Sequence, residues 1–121
     1  MPAEHDPALL DAIRHALEDA GELDEKVMFG CHVFMLDGKL CAGVRGDELL
    51  VRLPPDLHDD VAERPGVRPL AAQGGMQGYF FVDPSGYATA AQWQFWIGTA
   101  KAFNPQARRS PSKRRTAAKR G

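Results

Sequence analysis

Apolar residues along this chain switch between two periods, and the switches mark its elements. Leu9, Leu10, Ile13 and Leu17 recur at helical spacing, with Asp11, Arg14, His15 and Glu18 on the opposite side. Asp6 is placed to cap the N-terminus. Pro7 takes the first helical position, where a missing N–H does no harm. Gly21 is placed to close the helix in a left-handed turn. The spacing predicts an amphipathic helix whose single apolar stripe must lie on a neighbour.

From residue 28 the period falls to two. Asp37-Gly38 between two apolar runs predicts a hairpin, because both central residues of a type I′ turn need positive φ. Folding there pairs Leu36 with Lys39, Met35 with Leu40, Phe34 with Cys41, Val33 with Ala42 and Cys31 with Val44. A second hairpin about Gly46-Asp47 pairs Val44 with Leu49, Ala42 with Val51 and Leu40 with Leu53. In this register one face is dry throughout: Phe29, Cys31, Val33, Met35, Leu40, Ala42 and Val44. The other face carries Met28, Phe34, Leu36 and Leu50, with His32, Lys39, Cys41, Arg45 and Arg52 among them.

Pro54-Pro55-Asp56 then opens a short helix with Leu57 and Val61 one turn apart, ended by Pro65-Gly66. Val67 to Ala72 reads as a strand, which Pro69 places at an edge. Gln73 to Gly78 reads as a loop, Tyr79 to Val82 as a strand, and Asp83-Pro84-Ser85-Gly86 as a type I turn. Thr89 and Gln92 form a capping box for a last helix. Its apolar positions are Trp93, Trp96, Ile97 and Ala100, and Asn104-Pro105 stops it. The order α-β-β-β-α-β-β-α predicts an α+β fold, a single antiparallel sheet of about five strands with helices packed on one face.

Charge divides the 121 residues into two parts. The net formal charge is −1. Yet Arg108, Arg109, Lys113, Arg114, Arg115, Lys119 and Arg120 crowd the last 14 positions without one acid, leaving the first 107 residues at −8. The expected organisation is an ordered domain over residues 1–105 and a disordered basic tail over 106–121. The tail is a candidate for non-specific contact with nucleic acid through its seven cations. No run of about 18 apolar residues offers a membrane span. The acidic start, MPAEHDPALL, lacks the basic and apolar regions of a signal peptide, so a cytoplasmic location is expected, with both cysteines as thiols.

Candidate chemistry fares poorly in this pattern. Cys31, His32, Cys41 and His58 lack the closely spaced ligand pairs that preset a zinc tetrahedron. In the expected register Cys31 points to the dry face and Cys41, half-exposed and open to oxidation, to the other. His58, Asp59 and Asp60 are successive residues of a short helix and point in different directions; Asp56 and Asp60 lie one turn apart with no second wall. The glycines of 74–78 lack the Lys-Ser/Thr of a phosphate loop. Arg45-Gly46-Asp47 reads as a turn, and Trp93 and Trp96 as core anchors. Neither catalytic, metal nor cofactor residues are expected. The candidate interaction surface is Met28, Phe34, Leu36 and Leu50, an apolar patch on the open sheet face that fits an unidentified protein partner or a second copy of the chain.

Met28-Phe29-Gly30, Asp37-Gly38-Lys39 and Gly46-Asp47-Glu48-Leu49 resemble the N-terminal domain of the TfoX/Sxy family. Arg68-Pro69, Met76-Gln77-Gly78-Tyr79 and Val82-Asp83-Pro84-Ser85-Gly86 are similar to its second half. The family usually has a second glycine where this chain has Cys31. The resemblance covers roughly residues 8 to 104 and implies an α+β domain that is regulatory or protein-binding rather than enzymatic. Longer members regulate natural DNA-uptake competence alongside a transcription activator and carry a helical C-terminal domain. Here the basic tail stands in its place.

Overall fold

A computed structural model describes residues 5–28, 30–70 and 77–107. In it Asp6 caps the first helix. Its Oδ1 accepts the Ala8 N–H at 3.0 Å, and α1 runs Pro7–Leu17 with Leu9, Ile13 and Leu17 buried. The helix does not close at Gly21. Glu18 caps it in a right-handed conformation, and Gly21 is not left-handed. What Gly21 provides is room for the Asp37 carboxylate, whose Oδ1 accepts the Glu22 N–H at 2.9 Å.

The hydrophobic pattern does not show the first strand. β1 is Leu23–Met28, with four of its six side chains exposed, and it runs antiparallel to β2, Cys31–Leu36. Asp37 and Gly38 have φ of 52° and 80°, so the type I′ hairpin forms where expected. β3, Lys39–Arg45, begins in the expected register, with Leu36 opposite Lys39 and Met35 opposite Leu40. The ladder then slips. Phe34 lies opposite Ala42, Val33 opposite Gly43 and His32 opposite Val44, because Cys41 enters as a bulge. The expected pairs Phe34–Cys41, Val33–Ala42 and Cys31–Val44 do not form.

β4, Glu48–Arg52, keeps the second expected register: Val44 faces Leu49 and Ala42 faces Val51, where the ladder ends short of a Leu40–Leu53 pair. A single turn at Pro55–Leu57 leads into α2, His58–Ala62, which buries Val61. β5, Val67–Pro69, and β6, Tyr79–Val82, complete an antiparallel sheet in the order β1-β2-β3-β4-β6-β5. Pro69 is at an edge, as expected of a residue with no N–H for the ladder. The sheet has six strands rather than about five, and β1 is the addition. Ala71 and Ala72 of the expected strand, and Gln73 to Met76 of the expected loop, lie outside the described residues.

Asp83 caps a turn over Pro84–Gly86, accepting from the Ser85 and Gly86 N–H groups. The Thr89–Gln92 capping box then starts α3, Ala90–Phe103. A last turn, Asn104–Gln106, leads to Ala107, which is buried; the seven tail cations lie outside the described residues.

The helices lie on one face of the sheet, α1 over β3 and α3 over β3 and β4. Ile13, Leu17, Val44, Leu49, Val51, Phe80, Trp96 and Ile97 form the core between the layers. Trp96 anchors α3, its Nε1–H donating to the Gly86 carbonyl at 2.8 Å in a buried site. Trp93 is half-buried at the margin, edge-on to Tyr87. The fold is α+β, with one antiparallel sheet and its helices on one side.

Candidate functional site

The bulge at Cys41 decides which side chains share a face. Because the side-chain period of a strand is two, one inserted residue exchanges the sides of everything beyond it. Phe34 and Leu36, expected on the open face, are 0% and 2% exposed within the helix-covered core. His32, Lys39 and Cys41 go to that side with them. The face without helices carries Cys31, Val33, Met35, Leu50 and Phe81, with Met28, Leu40 and Leu70 packed against them. Of the four candidate interaction residues, Met28 and Leu50 are therefore on the outer face, and Phe34 and Leu36 are not.

Charged side chains rim the outer cluster. The Arg45 guanidinium stands 4.2 Å from the Phe81 ring centre and that of Arg68 stands 5.3 Å from it. Glu48 bridges them, pairing with Arg45 at 3.5 Å and with Arg68. Both guanidinium groups lie over the Phe81 ring, whose electron-rich face attracts their charge.

Cys31 and Cys41 do face opposite sides of the sheet, but exchanged: Cys31 is outer and Cys41 is in the core. Cys41 is 1% exposed rather than half-exposed, and burial pushes its thiol up to about 12. Burial raises the Cys31 thiol as well. Neither has the low-pKa environment that a reactive cysteine needs.

The strand that was not foreseen brings in a polar cluster. Glu25 on β1 receives two hydrogen bonds from Arg14 on α1, Nε at 2.6 Å and Nη2 at 2.7 Å, and Arg14 Nη1 reaches Asp11 at 2.8 Å. His32 Nε2 lies 2.8 Å from Glu25 Oε1. Donation by Arg14, and secondarily by His32, holds the Glu25 carboxyl at about 2, below its ordinary 4.5. A depressed carboxyl adds stability above its unfolded pKa and loses it as pH falls through the folded one. Wild type is therefore expected to exceed Glu25→Gln in urea midpoint above pH 4.5, with the gap closing as pH falls to about 2. A gap independent of pH would show that the ion pair is not its source.

The remaining candidates serve local structure. His58 Nδ1 accepts the Gly78 N–H at 3.0 Å, and its ring stacks on Phe80 at 4.9 Å. Asp59 and Asp60 are exposed, and Asp60 meets Arg64 at 3.4 Å. The Arg45-Gly46-Asp47 turn is held from both sides: Gly46 N–H donates to His5 Nδ1, and the Tyr87 hydroxyl donates to the Asp47 carbonyl. Cys31, His32, Cys41 and His58 are not brought together, and among the described residues no three His, Cys, Asp or Glu side chains gather as metal ligands. Asn104 has a role beyond stopping α3. It is 2% exposed, its Nδ2 donates to the Leu36 carbonyl at 3.0 Å, and its Oδ1 has no partner among the described residues.

A six-stranded antiparallel sheet with its helices on one side defines a small α+β domain. The TfoX N-terminal domain matches residues 15–103, from within α1 to the last residue of α3. The chain belongs to that family. No curated protein matches the chain. Among the described residues no helix is long and apolar enough to cross a membrane.

Proposed function

We propose that this protein is a non-enzymatic regulatory module of the TfoX kind, acting through contact with another macromolecule rather than through chemistry. The family match over residues 15–103 carries the reading. The state of the reactive side chains supports it: Glu25 is held by Arg14, His58 accepts from Gly78, and Cys41 is buried in the core. Deleting the coding sequence is expected to change the abundance of a defined set of transcripts, and re-expressing the chain to restore it. Unchanged transcripts would overturn this reading.

A second reading rests on seven cations without an acid in residues 108–121. Under it the tail binds nucleic acid without sequence preference, while the acidic body contributes nothing. Removing residues 108–121 leaves the buried Ala107, the last described residue, in place. The truncated chain is expected to lose DNA retardation. Intact protein should lose affinity with salt at a log–log slope of roughly −0.9 per phosphate engaged. Retardation that survives truncation would refute it.

A further inference from the structure

We propose that β1 is the self-association edge of this protein: two copies join their Leu23–Met28 strands antiparallel about a two-fold axis, so that their sheets become one. This goes beyond the regulatory reading and is tested without it. Among the described residues β1 ends the sheet and has β2 as its one neighbouring strand. The direction of its free hydrogen-bonding groups follows from the ladder. Asp37 N–H donates to the Glu22 carbonyl at 2.8 Å, so the even-numbered residues here bond toward β2. In an antiparallel pair these positions alternate, and the N–H and C=O of Leu23, Glu25 and Val27 therefore point outward. A row of such groups is a template for another strand. Val27, on this same edge, is 72% exposed, the one large hydrophobic side chain so exposed among the described residues.

The charges select both the partner and the register. With the odd-numbered residues in bonded positions, centring the two-fold on Lys26 sets Lys26 against its own copy. Centring it on Asp24 sets Asp24 against its own copy at a close non-bonded position, offset by Glu22 opposite Lys26, and leaves the exposed Val27 opposite Gly21. Centring it on Glu25 sets Asp24 opposite Lys26 of the second copy twice, at the closer non-bonded positions where cross-strand side chains interact most. It also sets Leu23 opposite Val27 twice, covering the exposed side chain. Only Glu25 then faces its own copy, and its charge is already matched by the two-pronged Arg14 bond. Of these three registers, only the one centred on Glu25 places opposite charges alone at the close non-bonded positions and also covers Val27.

Light scattering on the full chain over a concentration series is expected to give twice the 13.3 kDa monomer mass at the upper end. Lys26→Asp and Asp24→Lys each replace two attractive contacts by two repulsive ones. Each is expected to raise the dissociation constant roughly tenfold or more. An equimolar mixture of the two variants is expected to regain the dimer, since across a mixed pair both contacts between positions 24 and 26 are again between opposite charges. That rescue also reports that both variants are folded. A wild-type monomer at all concentrations overturns the proposal, as does an unchanged dissociation constant in the single variants or a mixture that stays monomeric.

Discussion

Phe34→Ala is expected to cost about 3–5 kcal/mol of folding stability, and Phe34→Glu to leave no folded monomer. Phe34 is fully buried on the helix side of β2. It faces Ala42 across the strand pair, with the His32 ring 5.3 Å away and the Arg14 guanidinium 5.8 Å away. Opposite a residue as small as alanine, a lost phenyl ring leaves a cavity that the sheet backbone cannot close. Domains of this size have roughly 5–15 kcal/mol in total, so the truncation removes a large share of it. Urea unfolding followed by circular dichroism measures the loss. Were Phe34 on an open face, Phe34→Glu would instead give a stable monomer with altered association, so one variant separates the two geometries. A folded Phe34→Glu protein would contradict the bulged register.

Phe34 is also where the pattern of the sequence and the fold part. Turns and caps are local, and apart from the expected helix stop at Gly21 they were legible. Asp6, Asp37-Gly38, Pro69 at the edge and the Thr89–Gln92 box stand where their chemistry placed them. The faces of β2 were not. Five of its six residues, Cys31 and Val33 to Leu36, are buried, so apolar character is present on both sides of the strand and alternation carries no sign. Only the bulge at Cys41 says which alternate set meets the helices, and a bulge adds one residue without changing composition. The second hairpin did not expose the error, since Val44–Leu49 and Ala42–Val51 form in either case.

β1 was lost for the opposite reason. Asp24, Glu25, Lys26 and Val27 are all exposed, and an edge strand that buries little shows no period. The outer cluster was legible only in Met28 and Leu50, since its other members follow from the bulge or, as with Phe81, from a strand distant in sequence. The Arg14–Glu25–His32 cluster joins α1, β1 and β2, so it could not be seen without β1. Asn104 was read as a stop signal because its amide partner, the Leu36 carbonyl, is 68 residues away in the chain.

The second large effect is expected at Gly78. Its φ is +88°, a region that side-chain-bearing residues rarely enter, and a Cβ built there would stand 2.3 Å from the Leu53 carbonyl oxygen. Both of its backbone groups are engaged: the N–H donates to His58 Nδ1 at 3.0 Å, and the carbonyl accepts from Leu53 N–H at 2.8 Å. Gly78 thus joins the end of β4 and the start of α2 to the residue before β6. Alanine there must be relieved by moving β6 away from Leu53, which breaks at least one of these bonds in addition to the backbone strain. Together these amount to about 3 kcal/mol or more. His58→Ala removes one of the two bonds and the stacking on Phe80 but leaves the backbone unstrained, so its cost is expected to be about 1–2 kcal/mol. Hydrogen exchange separates the contributions: the Gly78 amide should lose protection in His58→Ala while the Leu53 amide keeps it, and Gly78→Ala should lower protection at Leu53 as well. A Gly78→Ala protein with wild-type urea midpoint would mean that the contact between β4 and the start of β6 is not held as closely as the 2.3 Å approach requires.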